Sequence, residues 1–140
     1  MSAPPEDARA LQRGADSRDT ASMFSKEVLD YFQNPRGAGE LADATARVEV
    51  ENPACGDTLQ LAARIAEGRF AEVRFLARGC VTSMACGSWL AEWLAGKTIA
   101  QARALTPREI SAALGDLPPA TFHGSQLACD ALEALLSSMK

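Results

Sequence analysis

Through the middle of the chain apolar and polar residues alternate. Val48 and Val50 interleave with Arg47, Glu49 and Glu51, and Leu59, Leu61, Ala63 and Ile65 interleave with Gln60, Ala62 and Arg64. A period of two sends one set of side chains to each face of a strand. Glu67-Gly68 supplies a tight turn, after which Phe70, Val73, Phe75 and Leu76 make a third strand. The segment from Ala46 to Leu76 therefore predicts a three-stranded antiparallel meander.

On both sides of the meander the spacing is helical. Ser25 to Phe32 carries Val28, Leu29, Tyr31 and Phe32 on a short face, with Ser25 as N-cap and Asn34-Pro35-Arg36-Gly37 as the stop. After Cys80, the residues Met84, Trp89, Leu90, Trp93 and Leu94 crowd one side of a helix that Gly96 closes. A short helix around Ile99 to Ala104 and another starting at Thr106-Pro107 precede Leu117-Pro118-Pro119. The last helix is expected from about Ser125 to Ser138, with Leu127, Ala131, Leu132 and Leu135 inward. One helix, three strands and then helices define an α+β fold, a three-stranded antiparallel sheet with helices packed on one face.

Residues 1–22 mix Pro4-Pro5, Gly14 and alternating charges with few large apolar groups, too few to offset the entropy of ordering. They read as a disordered N-terminal tail, leaving 23–140 as one folded domain, and a chain of 140 residues suffices for a single core. No apolar run approaches the roughly 20 residues of a membrane span. A net charge of −4 without a Lys/Arg stripe argues against nucleic acid, whose binding rests on clustered cations. The N-terminus lacks the basic-then-apolar order of a signal peptide, so the expected compartment is the cytoplasm, where thiols stay free or metal-bound.

The chemistry concentrates in three places: Asn52-Pro53-Ala54-Cys55-Gly56-Asp57, Gly79-Cys80, and His123-Gly124-Ser125, which holds the one histidine. Two thiols, a carboxylate and an imidazole are the ligand types of a tetrahedral soft-metal site. Cys55 lies between the first two strands and Cys80 just past the third, so both fall at the same end of the sheet. Pro53 stiffens the approach to Cys55, Gly56 permits an unusual backbone angle, and Asp57 can bring a carboxylate to a thiolate. Gly79 allows close approach at Cys80, and Pro118-Pro119 can fix the imidazole that follows. The competing reading makes Cys55 and Cys80 small buried apolar groups and His123 a solvated or helix-capping residue. Cys86 and Cys129, inside predicted helices among Ala, Met and Leu, read as core thiols. Trp89 and Trp93, four apart, read as packing residues.

With these motifs in view, the chain from about Phe24 to Met139 resembles the IscU/NifU-type iron–sulfur cluster assembly scaffolds. The resemblance is carried by Ser25-Lys26-Glu27-Val28-Leu29-Asp30-Tyr31-Phe32-Gln33-Asn34-Pro35, by the Asn52 to Asp57 signature, and by Gly79-Cys80 with Glu92-Trp93-Leu94-Ala95-Gly96-Lys97. Leu117-Pro118-Pro119 leading to His123 completes it. The resemblance implies a non-enzymatic scaffold on which Cys55, Asp57, Cys80 and His123 hold a transient [2Fe–2S] cluster, iron or zinc. It also implies a cysteine desulfurase, an Hsp70-type chaperone and apo iron–sulfur recipient proteins as partners.

Two departures from the family pattern stand out. The family's third cysteine directly follows the histidine, where this chain has Gly124, and its Leu-Pro-Pro-Val-Lys segment reads Leu117-Pro118-Pro119-Ala120-Thr121. Cys129, five residues past Gly124 on a helix, falls about 140° around and about 7.5 Å along the axis, so it is expected to point elsewhere. Two other functions compete with the scaffold. One is a zinc-bound or metal-free module that binds and regulates the desulfurase. The other is a sulfur-transfer enzyme with Cys80 or Cys55 as nucleophile and His123 as base.

Overall fold

The computed structural model describes residues 24–52 and 56–139. The tail reading of residues 1–22 and the placement of Cys55 lie outside the described residues. The elements run α1 (Lys26–Gln33), β1 (Ala46–Asn52), β2 (Asp57–Ala66), β3 (Arg69–Arg78), α2 (Val81–Leu94), α3 (Ile99–Arg103), α4 (Pro107–Ala113), a 3₁₀ turn (Pro119–Thr121) and α5 (His123–Ser138). The three strands pair antiparallel in the order β1-β2-β3, as the alternation predicts. Glu67 and Gly68 both have positive φ, 56° and 77°, which is the backbone of a two-residue hairpin whose twist matches its strands.

Register explains where the chemistry falls. Asn52 pairs with Asp57 across β1 and β2, and Thr58 pairs with Arg78 across β2 and β3. One step further along the ladder sets Asp57 beside Gly79. The first residue of β2 and the residue just past β3 thus become neighbours although 22 positions separate them in the chain. This follows from pairing alone.

Leu59, Leu61 and Ala63 of β2 and Val73 and Phe75 of β3 are buried against the helices. Full burial of such side chains contributes about 1.5–3 kcal/mol each before entropy is counted. α2 packs on β3 and against α1 and α5, and α5 lies across β1 and β2. Helix α2 differs from its expected pattern. Its fully buried positions include Ala85, Cys86, Gly87 and Ser88 as well as Leu90 and Leu94, whereas Met84, Trp89 and Trp93 are half-buried. A helix surrounded by other elements buries small residues wherever its neighbours come closest. Trp89 and Trp93 stack at 5.8 Å on its outer side, with the Lys97 ammonium 4.7 Å from the Trp93 ring centre.

Helix α1 is capped by Ser25, whose Oγ accepts from the Val28 N–H at 3.0 Å. It is tied to α2 by the Tyr31 hydroxyl, which donates to Glu92, and by Arg36, whose guanidinium lies 4.2 Å over the Tyr31 ring and 3.6 Å from Glu92. Burial and then the Glu92 hydrogen bond push the Tyr31 phenol up to about 12. α5 starts at His123, two residues before the expected boundary, because the 3₁₀ turn delivers the chain directly into helix. Among the described residues no helix is long and apolar enough to cross a membrane.

Candidate metal centre

Three elements end at one point. Asp57 opens β2, Cys80 is the N-cap of α2, and His123 is the first residue of α5. Cys80 caps because its Sγ accepts the Ser83 N–H at 3.4 Å, the role a serine or aspartate usually plays. The first turns of two helices therefore bring side chains to one carboxylate, Cys80 and Ser83 from α2 and His123 from α5. Asp57 is 5% exposed.

The donor atoms are close. Asp57 Oδ2 lies 3.4 Å from Cys80 Sγ and 3.3 Å from His123 Nε2, and Cys80 Sγ lies 3.6 Å from His123 Nε2. Tetrahedral bonds of about 2.3 Å to sulfur and about 2.0–2.2 Å to nitrogen and oxygen require S–N and S–O edges of about 3.5–3.6 Å and N–O edges of about 3.3–3.5 Å. The N–O and S–N edges fit and the S–O edge is about 0.1 Å short, so the three donors approximate one face of a coordination tetrahedron around an ion of that size. Of the four residues the sequence singles out, three are brought together; Cys55, two positions before Asp57, is the sequence's candidate for the fourth vertex.

Burial alone would raise the Asp57 pKa, but the Ser83 hydroxyl, then the Cys80 thiol and His123, outweigh it and hold the carboxyl below its ordinary range. The Ser83 Oγ donates to Oδ2 at 2.7 Å. Gly79 makes room for this carboxylate: its φ is +142°, and a Cβ built there would sit 2.2 Å from Asp57 Oδ1. A glycine read from sequence as permitting close approach at Cys80 in fact permits the approach of Asp57.

The other thiols are elsewhere. Cys86 is fully buried, as expected of a core thiol, and burial pushes its pKa far up. Cys129 is half-buried rather than core: its Sγ points to the Leu105 carbonyl at 3.9 Å, it lines a cleft of about 590 Å³ with Leu105, Leu132 and Leu136, and burial raises it to about 12. It faces away from His123, as helix geometry requires. Gly124 has ordinary helical backbone rather than a left-handed angle, and packing is what crowds it. A Cβ there would meet Thr82 Cγ2 at 3.1 Å and Cys86 Sγ and the Ser83 nitrogen at 3.3 Å. Ser83 is the residue that sequence reasoning missed, and its signal was the three-residue spacing from a capping Cys80.

In this α+β domain a carboxylate, a thiol and an imidazole gather where a sheet end meets the starts of two helices, with one ligand atom from each within 4.8 Å of the others. The model of the NifU-like N terminal domain matches residues 23–140, and the chain belongs to that family. It is 39% identical over 110 residues to iron-sulfur cluster assembly scaffold protein IscU 1 of Archaeoglobus fulgidus, covering 79% of this chain and 72% of that one. It is 35% identical over 121 residues to the scaffold protein IscU of Escherichia coli, covering 84% and 94%. The solved N-terminal structure of a NifU-like protein from Brucella abortus has the same fold, with a TM-score of 0.68 at 19% identity over 84% of this chain and 94% of that one.

Proposed function

We propose that this chain is a non-enzymatic scaffold or carrier for iron–sulfur cluster assembly, which holds a transient [2Fe–2S] cluster or its metal precursor on Cys55, Asp57, Cys80 and His123. The observation that carries the proposal is the donor triangle, whose edges of 3.3, 3.4 and 3.6 Å come within about 0.1 Å of those around one tetrahedral ion. Its membership of a family whose relatives carry scaffold names supports the choice of cargo.

The residues divide the work. A thiol must lose its proton to bind metal, and since Asp57 Oδ2 and His123 Nε2 ligate through the very atoms that face Cys80 Sγ, the proton is released to the solvent that the partly exposed Cys80 and His123 reach. The first ion enters the triangle. A [2Fe–2S] cluster spreads its protein ligands over two irons, so completing it requires the triangle to open and Cys55 to join. One carboxylate and one imidazole among the ligands hold iron and sulfide less firmly than four thiolates, which suits a cargo that must leave. Cys80 and His123 are also partly exposed, so the cargo has a route out.

Sulfur comes from a cysteine desulfurase as the outer sulfur of its persulfide, which passes to a thiolate here with release of the desulfurase thiolate and leaves as sulfide on two-electron reduction by an added thiol. With Gly124 in place of a thiol and Cys86 buried, Cys80 is the described cysteine that sits at the centre to take it. Apo iron–sulfur proteins in the cytoplasm receive the product. The second reading, a zinc-bound regulator of the desulfurase, is favoured by one feature: the closed triangle accepts a single zinc ion without rearrangement. Anaerobic reconstitution with iron, sulfide and thiol, followed by metal and sulfide analysis, separates the two. The scaffold gives two irons and two sulfides per cluster, the regulator gives zinc, and sulfur turnover in place of either would mark the enzyme.

A further inference from the structure

Ser83 is 1% exposed and sits in the first turn of α2, three residues after Cys80. Its hydroxyl donates to Asp57 Oδ2 at 2.7 Å and lies 3.4 Å from Cys80 Sγ, and its backbone N–H donates to the same sulfur at 3.4 Å. We propose that Ser83 is the positioning residue of the metal centre, fixing the carboxylate and the thiolate together without itself being a ligand. This rests on the ligand assignment above.

The argument turns on which bonds survive metal binding. Among the described residues Asp57 Oδ2 has three polar neighbours in the metal-free site: the Ser83 hydroxyl, the Cys80 thiol and His123 Nε2. An ion takes the Cys80 sulfur as thiolate and the Nε2 lone pair of His123, so neither of those can donate to Asp57 any longer. A hydroxyl has a single proton, and Ser83 directs it at Oδ2, which as a carboxylate oxygen has a second lone pair for the ion. Both Ser83 donors, N–H and O–H, then end on anionic ligands. The carboxylate is an anion with or without the ion, but once Cys80 and His123 ligate, the Ser83 hydroxyl is the one of its three described neighbours that still donates to it, so the hydroxyl alone then fixes the oxygen that the three shared in the empty site. Loss of the hydroxyl should therefore weaken metal binding more than it weakens the fold.

The test compares Ser83→Ala with Ser88→Ala in the full chain. Ser88 lies on the same helix, is fully buried, and accepts the Arg36 N–H at 2.8 Å, away from the site. Zn²⁺ affinity is measured against a chromophoric chelator, and Co²⁺ is added separately to read ligand geometry from its visible bands. Ser83→Ala is expected to lose about 10–100-fold in Zn²⁺ affinity, the range for removing an outer partner of a ligand, and to alter the Co²⁺ bands. Ser88→Ala is expected to stay within about threefold of the parent with unaltered bands. A Ser83→Ala protein that binds like the parent, or two variants that weaken equally, would overturn the positioning role while leaving the ligand assignment standing. A parent that binds neither ion would overturn the ligand assignment itself, and this inference with it.

Discussion

Replacing Gly79 by alanine places a methyl group 2.2 Å from Asp57 Oδ1, 2.5 Å from its Cγ and 2.9 Å from its Cβ. Carbon and oxygen in contact keep about 3.3 Å apart, so the carboxylate must retreat by about 1 Å. A retreat of that size breaks the 2.7 Å Ser83 bond and dismantles the donor triangle. The backbone adds a penalty, since φ of +142° is foreign to residues with a side chain and costs about 1–3 kcal/mol. A lost hydrogen bond to a buried charged group adds about 1.5–3 kcal/mol. With a urea slope of about 1–3 kcal/mol per molar, a total on the order of 3 kcal/mol moves the unfolding midpoint down by more than about 1 M. Gly39→Ala is the control: its φ is +128°, yet a Cβ there meets nothing within 4 Å. The two variants share the backbone strain and differ in the collision. Urea unfolding and Zn²⁺ titration should show both losing some stability, but only Gly79→Ala losing metal affinity, by about 100-fold. Equal metal affinity in the two variants would refute the claim that Gly79 is there to seat Asp57.

The remaining expectations are these. Cys80→Ala should abolish metal binding, while Cys86→Ala and Cys129→Ala should keep it; Cys86→Ala should also cost about 1 kcal/mol in packing, as read by thermal melting and metal analysis. Gly124→Cys should raise cluster yield and form persulfide at position 124 with a desulfurase. It should destabilise by about 1–3 kcal/mol through its contacts with Thr82 and Cys86, a cost that adding Cys86→Ala should partly relieve in a double-mutant cycle. Because the Asp57 pKa is lowered from its ordinary 3.8 in the folded state, its contribution is present above that value and lost as pH falls through the folded pKa. Asp57→Asn should accordingly flatten the acid limb of stability below about pH 4 in chemical unfolding.

The strands and their order were readable because alternation at Val48, Val50, Leu59 and Leu61 reports directly on which face is buried. Once pairing is known, the meeting of Asp57 with Gly79-Cys80 follows from register. What the sequence could not give is distance. Hydrophobicity drew attention to Met84, Trp89 and Trp93, which are half-buried, and away from Ala85, Gly87 and Ser88, which lie where α2 is most tightly packed; small residues mark closeness only after the partners are placed. Ser83 hid for the same reason, reading as one more small residue on a helix. Gly79 was correctly read as a close approach but assigned to the wrong neighbour, since it is the carboxylate one ladder step away that needs the space. Cys129 was expected to point away from the site and does, though it ends at the rim of a cleft rather than in the core.

The central claim is that Cys55, Asp57, Cys80 and His123 together hold a cluster. It is tested most directly by visible and Mössbauer spectra of the protein purified without oxygen after growth on ⁵⁷Fe. The scaffold reading expects ferric sites of a [2Fe–2S] centre with matching visible absorption, and a difference between its two irons, since histidine and aspartate ligate beside thiolates. Both signals should vanish in Cys80→Ala. Protein that carries zinc and no iron, or an iron signal that persists unchanged in Cys80→Ala, would contradict it.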